Sequence, residues 1–208
     1  MDVKEKEVMN RNIWKFGLYN FIDHIRITWM IRTLFLLWLG FNFTTMSIHE
    51  SILALVIFLF EVPLGALADF IGKRKAIIIS TGLHGIGFML MGIMNAPMQY
   101  YFIAIIMGLA FSFFSGSDVA LLYDTLKRVK REKEYKKIRG RINAIGNVGS
   151  VIGVFVGPAL YLVNPRFGFL FTGITYLLGA IILLTMKEPY PYPHKFTLKR
   201  HWQQTIES

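Results

Sequence analysis

The stretch GALADFIGKRKAI, Gly65 to Ile77, is the most informative part of this sequence. It joins two apolar runs and ends in three consecutive basic residues. Gly65 permits close helix contact, Asp69 places a carboxylate at the edge of a membrane, and Gly72 supports a tight turn. Basic residues in a short loop between apolar runs mark the cytoplasmic side of a membrane protein. The stretch therefore predicts a cytoplasmic loop between two membrane-spanning helices.

The apolar runs on either side of this loop belong to a wider pattern. Of the 208 residues, 54% are hydrophobic and 17% charged, with a mean hydropathy of +0.46, whereas a soluble domain has about 25% charged residues. The runs have the length of about 20 residues that crosses a bilayer as a helix. We expect an all-α membrane protein with a six-helix transmembrane domain over residues 14–186. The predicted spans are 14–39, 50–70, 75–94, 99–124, 143–163 and 168–186.

The distribution of basic residues predicts the orientation. Of 23 lysines and arginines, 20 lie at the two ends or after the second and fourth spans, and only Arg166 lies in the opposite connections. This bias predicts a multi-pass protein of the cell (plasma or inner) membrane, with the segment 1–13 and the tail 187–208 in the cytoplasm. The connection 125–142 is predicted to extend its neighbouring spans as helices into the cytosol. Because the charges follow topology, a nucleic-acid partner is not expected.

Several classes of site are missing from the sequence. There is no cysteine, no pair of histidines at metal-binding spacing, no phosphate-binding glycine loop and no nucleophile elbow. We therefore expect no metal, no cofactor and no catalytic residues, and the chain is predicted not to be an enzyme.

The loop resembles the signature loop of the major facilitator superfamily, whose pattern runs Gly, any, Leu, Ala, Asp, Arg, any, Gly, Arg, Lys or Arg, any, any, Ile. The matching residues are Gly65, Leu67, Ala68, Asp69, Gly72, Arg74 and Ile77. Lys73 replaces an arginine, and Phe70 stands where the family usually has one. The resemblance implies the N-terminal six-helix half of a facilitator, built from two inverted three-helix repeats. It also implies a cytoplasmic gate in which Asp69, Lys73 and Asp124 form a charge network; the alternative is that these residues make only weak, solvated pairs.

The fifth predicted span carries glycines at steps of three, four and four, followed by a proline: Gly146, Gly149, Gly153, Gly157 and Pro158. The glycines share one side of a helix, where another backbone can approach closely. The segment GVFVGP also resembles the core of the family's antiporter motif, although Ala144, Tyr161 and Leu162 depart from it. That resemblance favours export, and simple tight packing is the alternative.

Ionisable residues inside the predicted spans are candidates for coupling, since each costs about 2.5 to 3.5 kcal/mol in hydrocarbon unless it is paired or hydrated. Asp23 and Arg26, three residues apart in the first span, could neutralise each other, and Asn20 shares their side of the helix. Glu61 lies two residues before Pro63 in the second span. We expect Asn20, Asp23, Arg26 and Glu61 to contact substrate or protons, and the alternative for Glu61 is a hydrogen bond beside a helix break.

These features predict a secondary active transporter of small molecules that works by proton-coupled export and alternating access. Its expected partners are the lipid bilayer, a small-molecule substrate, protons, and a second six-helix half supplied by a homodimer or a separate chain. The alternative is a non-transporting remnant, or a scaffold or regulatory membrane protein, of the same fold.

Overall fold

The computed structural model describes residues 3–190, and their regular secondary structure is entirely helical. The helices are α1 (Val3–Asp23), α2 (Thr28–Trp38), α3 (Phe43–Ile71), α4 (Lys73–Ile93), α5 (Pro97–Phe114), α6 (Ser117–Arg128), α7 (Tyr135–Val163) and α8 (Phe167–Leu184), with a 3₁₀ turn at Glu132–Glu134. Most of the predicted tail, residues 191–208, lies outside the described residues. The all-α fold class expected from the sequence is confirmed.

Five helical segments of the described chain are long and apolar enough to cross a membrane: Phe43–Ile71, Lys73–Ile93, Pro97–Arg128, Glu132–Val163 and Phe167–Leu184. They correspond to the second to sixth predicted spans. The second predicted span, 50–70, is helix α3, which begins earlier, at Phe43. The Asn42 side chain accepts a hydrogen bond from the Thr45 N–H at 2.8 Å and so caps the start of this helix. Helix α6 ends at Arg128 and α7 begins at Tyr135, so both helices continue into the predicted connection 125–142.

The first predicted span differs from expectation, since it is two helices rather than one. Helix α1 ends at Asp23 and α2 begins at Thr28. Between them the chain makes tighter hydrogen bonds, from the Arg26 N–H to the His24 carbonyl at 2.7 Å and from the Ile27 N–H to the Ile25 carbonyl at 3.1 Å. The prediction of a continuous helix over 14–39 is therefore wrong at 24–27. Neither piece combines the length and hydropathy of a spanning helix.

The bundle has two chemically different ends. The end with the turn at Gly72 and the connection 129–134, here called the basic end, also holds the start of α1 and the end of α8. There Asn12 donates to the Lys187 carbonyl at 2.7 Å, and Lys15 donates to the Thr185 carbonyl at 2.7 Å. The opposite end, with connections 39–42, 94–96 and 164–166, is here called the short-loop end.

Arg166 organises the short-loop end. Its guanidinium donates to the carbonyls of Gly92 at 2.8 Å and Met94 at 3.1 Å, and to the Asn95 side chain at 2.6 Å. The same group lies 5.5 Å from the ring centroid of Trp38. One side chain thus joins the ends of α2 and α4 to the start of α8.

The interior contains two apolar clusters. One lies toward the basic end and includes Phe16, Tyr19 and Leu121, and the other lies toward the short-loop end and includes Ile31, Phe35 and Phe169. Helix α1 contributes to the first cluster and α2 to the second. Eleven of the buried polar residues fall between the clusters: Asn20, Asp23, Thr28, Ser80, Thr81, His84, Ser112, Ser117, Asp118, Thr172 and Thr175. Four others, Asn12, Thr45, His49 and Thr125, lie nearer the two ends of the bundle. The break in the first span lies in this polar layer.

Candidate functional site

The break between α1 and α2 lies directly against the glycine face of α7. A Cβ added to Gly146 would lie 2.5 Å from the Asn20 Oδ1 atom, and one added to Gly157 would lie 2.6 Å from the Ile27 carbonyl oxygen. The remaining two glycines, Gly149 and Gly153, face the Phe21 carbonyl and the Arg26 backbone. At Gly149 and Gly157 the nearest atom is a backbone carbonyl oxygen, at 2.4 Å and 2.6 Å, closer than a real Cβ atom comes to a packed backbone. The glycines therefore give the non-helical segment the room that it occupies, with Pro158 following the last of them in the same helix.

A cavity of about 470 Å³ opens beside this break. Its polar lining comes from the polar layer, from both pieces of the first span and from α3 and α8: Tyr19, Asp23, Arg26, Thr28, Arg32, Thr33, His49, Ser80, Thr81, His84, Thr172 and Tyr176. Ligand sites in proteins commonly have volumes of about 300 to 1,000 Å³. The cavity is thus large enough for a small molecule and combines polar with aromatic walls.

Asp23 is the one carboxylate among the described residues that line the cavity. Its side chain is only 10% exposed, and its Oδ2 atom lies 3.6 Å from the Arg26 Nη2 atom and 3.7 Å from the His24 Nδ1 atom. The sequence prediction that Asp23 and Arg26 pair therefore agrees with their placement. Neighbouring Asn20 is buried, and its Oδ1 atom has no hydrogen-bond partner among the described residues.

A second buried carboxylate of the polar layer, Asp118, lies in α6. Arg139 of α7 donates to the Asp118 Oδ2 atom at 2.7 Å, and both side chains are largely buried. The polar layer therefore holds two pairs of opposite charge, Asp23 with Arg26 and Asp118 with Arg139. Removing one partner of a buried ion pair strongly destabilises the fold, because the other charge is left buried without compensation.

Aromatic rings form one wall of the cavity. His84 stacks on Tyr176 with ring centroids 5.4 Å apart and meets Phe111 edge-on at 4.7 Å. Phe88 lies 5.3 Å from the same Tyr176 ring. Toward the basic end, the Tyr19 hydroxyl lies 3.3 Å from the Thr81 hydroxyl. This wall offers flat apolar surfaces with a few hydroxyl groups.

Glu61 is placed apart from the other sequence-predicted coupling residues. It lies on an exposed face of α3 and is not among the residues that line the cavity. Its Oε1 atom accepts a hydrogen bond at 2.7 Å from Ser115, which directly follows α5. The fourth predicted span is interrupted here, between the end of α5 and the start of α6 at Ser117. Helix α3 continues through Pro63, so the expected break beside Glu61 in its own helix is absent.

The signature loop closes the basic end between α3 and α4. Gly72 adopts φ +105°, and Lys73 pairs with Asp69 across the turn. Asp124 lies within α6, where Lys127 of the same helix and Lys73 of the loop are the basic residues that interact with its charge. Of the three residues of the expected charge network, only Asp69 and Lys73 form an ion pair within the described residues, and the network itself stays a prediction. Gly65 faces open space, with no atom within 4 Å of an added Cβ.

Arg74 has a role in this loop that sequence reasoning did not find. Its Nη1 atom donates to the carbonyls of Leu184 at 3.1 Å and Met186 at 2.7 Å, and its backbone N–H donates to Glu188 at 3.2 Å. Arg74 therefore caps the end of α8. The two acceptors of the Arg74 side chain are backbone carbonyls, so the sequence carries no residue pattern that would indicate these two bonds.

A further polar group at the short-loop side of the cavity was also missed. Arg32 donates to the Glu50 Oε1 atom at 2.6 Å, linking α2 to α3. Beside this pair, His49 is buried and stacks on Tyr100 with ring centroids 3.8 Å apart. The sequence did hold a signal for this ion pair, since a basic and an acidic residue, Arg32 and Glu50, lie on either side of one predicted short connection.

Comparison with known families agrees with this architecture. The family model described as Major Facilitator Superfamily matches residues 24–207, nearly the whole chain. This chain belongs to the major facilitator superfamily. The resemblance drawn from Gly65 to Ile77 is thereby confirmed, and the chain is a multi-pass membrane transporter of that superfamily. No curated protein matches it. Within residues 3–190 of this facilitator, no cluster of three or more histidine or acidic side chains could hold a metal ion.

Proposed function

We propose that this facilitator is a proton-coupled secondary transporter of small molecules, with Asp23 as the group that takes up and releases the proton. The observation that carries the proposal is the burial of Asp23 against Arg26 in the cavity wall. An ionisable group held in the membrane interior costs stability unless it is paired or hydrated, which makes it a functional candidate. Discontinuous helices at the midplane are the usual setting for such sites in transporters.

The proton-coupling role is assigned to Asp23 rather than to Glu61. Asp23 lines the cavity, and the charged groups around it are His24 and Arg26 from the break and Asp118 from α6, with the Tyr176 hydroxyl from α8. Glu61 lies on the exposed face of α3 and bonds to Ser115. Since a coupling group must sense both proton and substrate, cavity placement favours Asp23.

Alternating access in this family needs two six-helix halves, so we propose a second half, supplied by another copy or by a separate chain. Helices α3 and α7 carry large exposed apolar side chains, including Phe58 at 80% and Phe155 at 75% exposure. Such faces are covered either by lipid or by a partner. The charge network of Asp69, Lys73 and Asp124 would stabilise one gate state of the assembled transporter.

The distribution of basic residues supports an orientation with both described ends in the cytoplasm of a cell membrane. Direction of transport rests on the sequence segment GVFVGP, which favours export. The same segment contains Gly153 and Gly157, whose contacts with Arg26 and Ile27 give them a packing role. Direction must therefore be read from a transport measurement.

The proposal is tested by proton flux in inside-out membrane vesicles that contain the full chain. A panel of anionic, neutral and cationic small molecules is added under an imposed pH gradient, and dissipation is followed with a pH-sensitive dye. Asp23→Asn should abolish substrate-dependent dissipation, while Glu7→Gln, an exposed carboxylate at the basic end, should leave it unchanged. The scaffold alternative is favoured instead if the parent protein moves no proton with any compound.

A further inference from the structure

We propose that the cavity binds an organic anion with a flat apolar body, and that Arg26 holds its acidic group. This inference rests on the proposed transport function, because it names the substrate class of the same cavity. It is carried by the balance of charges in the cavity wall, by the start of α2 and by the aromatic surface opposite.

The charged groups of the cavity wall favour an anion. The described lining contains two guanidinium groups, Arg26 and Arg32, and one carboxylate, Asp23. The one carboxylate that could pair with a cationic substrate, Asp23, is only 10% exposed and already has His24 and Arg26 as neighbours. The lining therefore suits an anion better than a cation.

The two arginines are not equivalent. Arg32 makes a direct hydrogen bond of 2.6 Å with Glu50, so its charge is already neutralised. Arg26 is 42% exposed, and its nearest carboxylate oxygen among the described residues is 3.6 Å away, beyond the distance of about 2.7 to 2.9 Å of a good charge-assisted hydrogen bond. Its remaining donors can hold a carboxylate, sulfonate or phosphate in two-point contact.

The start of α2 adds to this positive site. Thr28, its first residue, lines the cavity, and Ile27 before it gives the helix no side-chain cap. The first N–H groups of a helix have no partner within the helix and carry partial positive charge. In this structure they lie next in sequence to Arg26, at the same break. Arg26 and the first residue of α2 thus line the same cavity two positions apart.

The opposite wall of the cavity indicates that the rest of the substrate is a flat ring system. His84, Tyr176, Phe88 and Phe111 form a contiguous group of rings along the cavity. Aromatic walls contact flat rings in offset or edge-on geometries, with centroids about 4.5 to 7 Å apart. A substrate with an acidic group at one end and a ring system at the other would satisfy both walls.

Arg26 would then be shared between Asp23 and the substrate. While Asp23 is ionised it competes for the guanidinium, and loss of its charge releases Arg26. Asp23→Asn should therefore bind the anion more tightly than the parent protein does. A purely structural role for Asp23 predicts the opposite, since a damaged cavity would bind less.

The experiment measures equilibrium binding to the full chain in lipid nanodiscs with three probes that share one ring system: 2-naphthoate, 2-naphthamide and 2-naphthylmethylammonium. We expect saturable binding of naphthoate, with the amide and the ammonium at least about tenfold weaker. Equal binding of all three probes, tighter binding of the ammonium, or no binding of naphthoate at concentrations up to about 1 mM would overturn the inference.

Variants locate the site. Arg26→Gln should weaken naphthoate binding at least about tenfold, Arg26→Lys should retain part of it, and Asp23→Asn should strengthen it. Arg11→Gln, an exposed arginine at the basic end, is the matched control and should bind as the parent does. Unchanged binding in a folded Arg26→Gln protein contradicts the assignment. If that variant does not fold, the three-probe comparison on the parent still decides between anion and cation.

Failure of this inference differs from failure of the proposed function. If naphthoate binds but vesicles show no proton-coupled flux, the anion site is supported and the transport proposal is contradicted. Proton-coupled movement of a cation, with no binding of naphthoate, leaves transport and removes the anion site.

Discussion

Gly157 of α7 lies so close to Ile27 that a Cβ at position 157 would be 2.6 Å from the Ile27 carbonyl oxygen. That oxygen belongs to the break between α1 and α2 and cannot move without displacing the start of α2. Substituting Gly157 therefore tests whether the glycine face of α7 holds the break in place.

Gly157→Ala should destabilise the bundle by about 1 to 3 kcal/mol, because the added methyl group forces apart two packed backbones. Thermal unfolding of the purified protein in detergent measures the effect. Gly140→Ala in the same helix is the control, since an added Cβ there meets no atom within 4 Å. It should be neutral or stabilising by up to about 1 kcal/mol. Equal melting temperatures for the two variants would show that α7 has room to shift.

Gly72→Ala should also be destabilising, but for a reason of backbone conformation. Gly72 has φ +105°, a region that residues with a Cβ rarely occupy, and strain of this kind costs about 1 to 3 kcal/mol. Gly65→Ala in the same loop motif is the control, because its added Cβ faces open space. Chemical unfolding in mixed detergent compares the two. A Gly72 variant as stable as the Gly65 variant would mean that the turn adopts another conformation at no cost.

The parts of the fold that are decided by partition between water and hydrocarbon could be predicted from the sequence. Hydropathy predicts five of the six spans because hydrocarbon excludes charge, and the loop at Gly72 is recognisable because its turn and charges are local. The approach of Asp23 and Arg26 was predictable for the same reason, since the two residues are three positions apart.

Long-range packing limits what the sequence can predict. The break at 24–27 depends on glycines that lie more than a hundred residues later in α7, and no local signal marks it. The exposed position of Glu61 depends on the rotation of α3 in the bundle, which hydropathy does not fix because the apolar residues of α3 are not concentrated on one face. Arg74 binds backbone carbonyls, which every residue has.

Arg74→Gln should lower the stability of the basic end by about 1.5 to 3 kcal/mol, because two charge-assisted hydrogen bonds to the end of α8 are lost. Hydrogen exchange of the last turn of α8 should rise together with the loss of global stability. Lys75→Gln, an exposed position in the same loop, is the control. If exchange in α8 is unchanged in the Arg74 variant, the cap is not required for the helix end.

The sharing of Arg26 by Asp23 and an anion has a consequence for the direction of transport. Protonation of Asp23 frees Arg26, so proton and anion each favour the binding of the other, and this coupling is reciprocal. Two ligands that bind together cross together, so an imposed proton gradient should drive naphthoate in the direction in which protons flow. Where protons flow into the cell this is uptake, opposite to the export that the GVFVGP segment favours.

Vesicles with an acidic exterior should therefore accumulate labelled naphthoate, and collapse of the gradient by a protonophore should release it. Asp23→Asn should bind the anion at all pH values but should lose gradient-driven accumulation, because the variant has no proton to carry. Glu61→Gln should still accumulate the probe if Glu61 acts only through its hydrogen bond to Ser115. Accumulation driven by the opposite gradient would instead support antiport, in which proton and substrate exclude each other, and would show that Arg26 is not shared in this way.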